Sequence, residues 1–428
     1  MRRPGIALVV LLVMTLCLVG SLAAQTPVTL RFSWWGGDAR HNATLEAIKL
    51  YQTLNPHVTI KPEYGGADGY LDKKKVELAS KTAPDVMQID YTWMEELISK
   101  GDFFVDLSTR KEIDTSTFGK PFLDRFCVFG GKLLGLPTGS NAQMLIVNKT
   151  AADKYGVDLK QLAYWDGILS EGKKLHAKDK NAYLLHYDTA SFAGEVLASM
   201  LQQMTGKLTF DAQNKQNYGV RELTTMYHWL AEAVKGGVLQ PPGEAAIYSM
   251  KGEQNPKWIN GQIIALVDWA SNYQRYIMKD TEYVFLLPPN VRDAKSGSSD
   301  MRPSQELCIN AASPNIAEAA KFLNWFLNSP EAAVVLGDVR SVPVSSSARD
   351  AAAKAGKINP KIAEALGRAT TSIKKSESGY AINREVVQIF LDIANKVAFG
   401  VLTPAKAAEE QYRLTEQKVA ELVKASKK

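Results

Sequence analysis

The chain has little of what metal binding and covalent catalysis ask for. In 428 residues there are 3 cysteines and 5 histidines. The histidines never fall at His-x-x-x-His spacing and the cysteines never at Cys-x-x-Cys, so no metal site is predicted. Gly-x-Ser-x-Gly, a phosphate-cradling glycine loop and His-Glu-x-x-His are all missing, and no cofactor is predicted. Long basic runs are missing too. The 51 basic and 45 acidic residues leave a formal charge of +6, with nothing that would track a phosphate backbone, which argues against nucleic acid as a partner. There is no internal repeat and no low-complexity linker.

What is present begins at the N-terminus. Met1-Arg2-Arg3 is a short positive segment, Ile6 to Gly20 is apolar and uncharged, and Ser21-Leu22-Ala23-Ala24 supplies small residues for cleavage. This is the layout of a secretory signal peptide over residues 1–24. The apolar run is shorter than the roughly 18–20 residues of a spanning helix. Leu16 stands before Cys17 where a lipid-attachment box needs a small residue, so a lipid anchor is not predicted. The expectation is a mature protein outside the cytoplasm. Its two cysteines, Cys127 and Cys308, lie in apolar, strand-like surroundings. They read as buried free thiols, although an oxidising compartment also permits a disulfide.

The length suits two to three domains. Val28, Leu30, Phe32 and Trp34 alternate with polar neighbours, which predicts a strand over 28–35 ended by Gly36-Gly37. A helix over 40–54 follows, stopped at Asn55-Pro56, then a strand over 57–64 whose Pro62 suggests a sheet edge. A helix over 70–80 and a strand at Val86-Met87-Gln88-Ile89 complete a β-α-β-α-β order, which implies a parallel sheet flanked by helices. Residues 126–137 read as a hairpin turning at Gly130-Gly131. Further strands are predicted at 142–147, 182–187, 263–267, 283–287 and 307–311. Helices are predicted at 195–205, 221–234, 313–328 (with Pro314 in its first turn), 385–399 and 405–423 (capped by Thr403). Residues 292–304 read as loop.

In such sheets ligands bind beyond the carboxyl ends of the strands. Those ends carry aromatics: Trp34-Trp35 at the end of the first strand, Trp93 after the third and Trp269 after Ile264–Asp268. A flat ring with polar neighbours suits a pyranose, whose C–H face packs on the ring while carboxylates, amides and guanidinium groups bind its hydroxyls. Adjacent strand residues face opposite ways, so one of Trp34 and Trp35 belongs to the core. Trp165, Trp229 and Trp325 read as core residues. Asp90, Asp188 and Asp268 could meet as the carboxylate pair of a glycosidase; as strand-end residues they read equally as caps or sugar-hydroxyl acceptors.

Val28-Thr29-Leu30-Arg31-Phe32-Ser33-Trp34-Trp35-Gly36-Gly37 resembles the first strand of the maltose-binding-protein-like family of sugar-binding components of ABC importers. Tyr64…Asp68-Gly69-Tyr70, Ala83-Pro84-Asp85-Val86, Gly135-Leu136-Pro137, Gly261…Trp269 and Arg340-Ser341-Val342-Pro343-Val344 continue the likeness in order over nearly all of the chain. The resemblance implies a two-lobe, type II-like periplasmic-binding-protein fold of class α/β. Each lobe would hold a mostly parallel sheet, with a hinge of two or three crossings near 136–141, 286–290 and 341–346. The lobes would comprise 25–137 with 288–341, and 138–287 with 342–428. It implies a mono- or oligosaccharide ligand, the permease subunits of an ABC importer as partners, a monomer, and no chemistry on the ligand. Carried onto this sequence, the binding residues would be Trp34, Trp35, Arg40, Asp90, Trp93, Asn141, Asp188, Trp269 and Arg302. Trp34 to His41 also resembles a subset that takes up pectin-derived oligosaccharides, for which Arg40 or Arg302 would pair with a uronic carboxylate. The rival readings are a periplasmic carbohydrate-active enzyme and a binder of another solute, such as a polyamine.

Overall fold

The computed structural model describes residues 26–249, 251–375 and 377–426. The expected leader, with Cys17, lies outside the described residues. The strands are β1 (Val28–Trp35), β2 (Val58–Gly65), β3 (Val86–Ile89), β4 (Val128–Phe129), β5 (Lys132–Leu133), β6 (Leu136–Pro137), β7 (Ser140–Asn148), β8 (Tyr183–Leu185), β9 (Ile263–Trp269), β10 (Tyr283–Leu286), β11 (Met301–Pro303) and β12 (Glu306–Ile309). β4 and β5 form the hairpin predicted around Gly130-Gly131. The remaining strands build two sheets, one per lobe.

The first sheet runs β2-β1-β3-β12-β6. β1 is parallel to both β2 and β3, as β-α-β windings require, while β12 is antiparallel to β3 and to β6. Pro62 sits on the edge strand β2, where its missing N–H breaks no ladder. The alternation of β1 buries Leu30, Phe32 and Trp34 completely. Phe32 meets Phe322 and Phe326 edge-on at 5.4 and 5.5 Å, so the helix Ile316–Asn328 covers that face. Its N-cap position is Asn315, which leaves Pro314 outside the helix. The other face is closed by Met87, Ile89, Met94, Leu97 and Phe104.

The second sheet runs β10-β7-β9-β8, with β11 also on β7. β7 is buried from Asn141 to Asn148 and covered on both faces, which is why Met144-Leu145-Ile146-Val147 is a continuous apolar run rather than an alternating one. The two-lobe α/β fold is as expected, but this sheet is less parallel than expected. Only β8 and β9 run parallel, because β7 arrives from the other lobe and enters against its neighbours. Around it stand Trp165–Lys178, Val220–Lys235, Arg384–Ala398 and Pro404–Ser426. The predicted helix from residue 195 begins earlier and in another form. Thr189–Leu197 is a π-helical turn with Asp188 as its cap, and Ser199–Thr205 is α-helical.

The chain first passes between sheets at residues 138–139, from β6 to β7. The second passage is at 304–305, between β11 and β12, not at 286–290. Residues 292–304 are therefore not all loop, and the stretch up to Pro303 goes with the second sheet rather than the first. Antiparallel pairing of Arg302 with Asn141 decides this. The stretch 339–342 touches the same junction through the bridge from Ser140 to Val342. Beyond it, Ser346–Lys354 packs back on Pro330–Leu336 of the first lobe, so 342–428 is not wholly second-lobe, and Pro360–Ala369 then covers β10 and β7. At the junction the three stretches interlock. The Thr138 N–H bonds the Gln305 carbonyl at 2.9 Å, the Ser304 N–H bonds the Gly139 carbonyl at 2.7 Å and the Ser140 N–H bonds the Val342 carbonyl at 2.8 Å.

Candidate functional site

On the first lobe the strand exits place aromatic rings side by side. Trp35, at the end of β1, is half-buried, and its ring centroid lies 4.9 Å from those of both Trp93 and Tyr70. Asp90 follows β3 and accepts from the Thr92 N–H at 2.9 Å and the Thr92 hydroxyl at 2.7 Å. Its carboxylate thereby fixes the 3₁₀ turn Tyr91–Trp93 that carries Trp93 to this wall.

On the second lobe the same rule brings Trp269 to the end of β9. Its indole N–H donates to Glu195 Oε2 at 3.1 Å, and Gln143 Nε2 donates to the same oxygen. The Arg302 guanidinium lies 3.8 Å over the centre of the Trp269 ring. Trp269 therefore spends that face on holding the arginine, by cation–π attraction, instead of offering it to a sugar. Burial works against the Arg302 charge, but Asp90, Glu195 and Asp300 outweigh it and raise its pKa. Since Asp90 belongs to the first lobe, Arg302 lies where the two lobes meet. Glu195 is pushed up to about 7, first by burial and then by Asp300, against the pull of Arg302, Lys374 and Gln143. Near neutral pH it is poised between acceptor and donor.

Three predicted residues take other roles. Trp34 is fully buried; it stacks on Tyr64 at 5.0 Å and its N–H donates to His41 Nδ1 at 3.1 Å. It shares the inward face with Leu30 and Phe32, so Trp34 is the core member of the Trp34-Trp35 pair. Arg40 is buried, with Nη1 donating to the Trp35 carbonyl at 3.1 Å and Nε to the Val339 carbonyl at 3.2 Å. Burial, with Arg275 nearby, lowers its pKa to about 10. It ties β1 to the third crossing stretch through these two bonds. Gly36 makes room for it, since a Cβ there would meet Arg40 Cδ at 2.6 Å. Asn141 exchanges hydrogen bonds with Ser271, at 3.0 Å to its N–H and 3.1 Å to its hydroxyl, and so fixes the turn after Trp269.

Asp188 caps the π-helical turn through the Ser191 N–H at 2.8 Å and also accepts from Ser249 at 3.0 Å. It lines a cavity of about 120 Å³ together with Glu195, Asp268 and Trp269. Asp268 is bonded by the Trp269 N–H, Asn272 and the Tyr276 hydroxyl. Cys127 and Cys308 are buried free thiols. Among the described residues no group of three or more His, Cys, Asp and Glu is placed to hold a metal.

Sequence reasoning missed Glu195, Gln143 and Tyr70. Tyr70 stood in a quoted motif, but nothing in the pattern marked Gln143 inside an apolar strand or Glu195 inside a helix. From Trp93 a groove of about 860 Å³ continues outward between the lobes. Asp68, Asp72, Glu95, Glu96 and Glu385 line it against only Lys100 and Arg384.

Residues 38–333 match the profile of the bacterial extracellular solute-binding protein family. A periplasmic solute binding protein from Pectobacterium atrosepticum is 27% identical, with 91% of this chain and 99% of that chain covered and a TM-score of 0.83. A periplasmic oligogalacturonide binding protein from Yersinia enterocolitica, in complex with saturated digalacturonic acid, is 26% identical over 92% of this chain and 99% of that one, also at 0.83. An ABC substrate-binding protein from Listeria monocytogenes, in complex with cycloalternan, shares the fold at 18% identity, covering 92% and 99% of the two chains with a TM-score of 0.74. With two lobes meeting at an aromatic and charged cleft, and a family match over more than half its length, the chain belongs to the bacterial extracellular solute-binding proteins.

Proposed function

We propose that this protein captures a short saccharide carrying a uronic acid between its lobes and delivers it unchanged to the membrane subunits of an ABC importer. It works as a monomer in the periplasm, after loss of residues 1–24. The observation that carries the reading is Arg302. It is a charged guanidinium held 3.8 Å over Trp269 on the second lobe and drawn electrostatically to Asp90 of the first, the strand-end residue next to the turn that carries Trp93. The wall of Trp35, Tyr70 and Trp93 suits the C–H face of a pyranose, and the guanidinium suits a carboxylate. The digalacturonic acid bound by the Yersinia protein supports the same ligand class.

The outer groove limits that class. Its excess of carboxylates repels a long polyanion, so one or two uronate units fit better than an extended pectin chain. The binder reading is further supported by the carboxylates of Asp90, Asp188 and Asp268. All three are engaged in caps and local hydrogen bonds, which leaves no free acid–base pair among them.

Titration calorimetry against di- and trigalacturonate and their neutral counterparts tests this. Arg302→Ala is expected to weaken uronate binding about 10–100-fold, the range for losing a charge-assisted pair, and to change neutral-sugar binding far less. Equal loss for both ligand types would remove the acidic-sugar assignment. Binding of neutral sugars alone by the unaltered protein would do the same. Release of a shortened sugar by concentrated protein would replace transport with catalysis.

A further inference from the structure

The hinge holds a charge that the cleft does not use. Arg340, on the third crossing stretch, is 4% exposed. Its Nη2 donates to Thr44 Oγ1 at 2.9 Å and its guanidinium lies 5.5 Å from the Phe326 ring centre. Its Nε and Nη1 are buried and have no hydrogen-bond partner among the described residues. Ser341, next in the chain, is 1% exposed, has a left-handed φ of 68°, and its Oγ is likewise unpaired. Both residues line one cavity of about 30 Å³, walled by Phe326, Leu336 and Val339.

No acid answers this charge. Arg340 forms no ion pair within 4 Å among the described residues. Asp338, two positions back, already accepts from Gln274 at 3.0 Å, Tyr273 at 3.2 Å and the Asn359 N–H at 2.7 Å. Arg40 adds to the imbalance, because its own guanidinium is met by two carbonyls and no carboxylate. A buried charge is tolerated when it is paired and hydrogen-bonded. Water would occupy donors but leave the charge unanswered. A small spherical anion answers both, and the cavity has room for a particle of at least water's size.

We propose that the hinge is a binding site for a single halide-sized anion, chloride in its natural setting, held by Arg340 and Ser341. The site would fasten the third crossing stretch at the point where the Arg340 carbonyl also accepts from Ser304 Oγ at 2.6 Å. This inference stands apart from the identity of the cleft ligand.

The purified protein, dialysed into gluconate at constant ionic strength, is melted across a chloride titration. A saturable rise of about 2–5 °C is expected, as for a ligand that binds only the folded state, and bromide should reproduce it. Crystals soaked in bromide should give an anomalous peak in the cavity. Arg340→Met keeps the apolar stem and should abolish the saturable rise. Ser341→Gly suits the left-handed backbone and should fold; it is expected to raise the half-saturating chloride by roughly tenfold, as for one lost hydrogen bond to a charged partner. An absence of saturable shift in the unaltered protein would overturn the site. So would a rise that persists in Arg340→Met, or a cavity that takes no bromide.

Discussion

At the scale of residues, one backbone position separates a core tryptophan from one that stands half-buried beside Trp93 and Tyr70. Trp34 and Trp35 are adjacent on β1, and the pleat sends them to opposite faces. Trp34→Ala is expected to cost about 3–5 kcal/mol of stability, as large core truncations do. Trp93→Ala should instead leave the melting point nearly unchanged and weaken saccharide binding about tenfold or more, comparable to one lost aromatic contact. Melting curves and calorimetry on the two variants check this, and the reversed pattern would reject the wall assignment. The strand-end rule made Trp35, Trp93 and Trp269 legible in sequence. Glu195 was not legible, because 189–205 carries an ordinary helical pattern and only the widened π turn brings its carboxyl to the indole of Trp269. Arg302 was named only through the family resemblance, in a stretch read as loop, and its tie to Trp269 depends on a pairing across some 160 residues that leaves no local trace.

At the scale of elements, the three crossing stretches behave as one part. Gly139 lies so close to the third stretch that an ideal Cβ there would sit 2.1 Å from the Arg340 carbonyl oxygen. Gly139→Ala must push the stretches apart, and a loss of about 2–4 kcal/mol is expected, within the range for disrupted buried backbone contacts. Gly66→Ala, whose Cβ would meet nothing within 4 Å, serves as the control and should stay close to neutral. Chemical denaturation of both variants gives the comparison; equal stability would mean that the hinge yields without strain. The winding of the first three strands was readable because parallel β-α-β units repeat a local signal. Lobe membership of 288–303 and 346–354 was not, because it is set by pairing and packing with distant segments.

At the scale of the whole molecule, stability should depend on two buried carboxyls. Glu306 is completely buried on β12, and burial pushes its pKa up to about 8; Glu195 stands at about 7. Both hold a proton more tightly folded than unfolded. Their contribution is complete below the ordinary carboxylate range and drains away as pH rises through the folded values. Stability is therefore expected to fall from about pH 4.5 and level off above about pH 8, by an amount on the order of a few kcal/mol. Glu306→Gln should flatten the segment between pH 7 and 8. Denaturant midpoints measured across that range provide the check, and a stability that climbs over it would contradict the assignment.

The strand order of the first sheet bears on how such a chain is made. β12 stands between β3 and β6, so the sheet lacks an inner member until residue 309 has left the ribosome. The first lobe thus begins within the first hundred residues and closes only when nearly three quarters of the chain exist. A polypeptide bound for export has to stay threadable while it waits, and here the waiting is written into the topology: the early strands have no complete sheet to join. Folding of the first lobe is thereby deferred toward the end of synthesis, when most of the chain is already available for translocation.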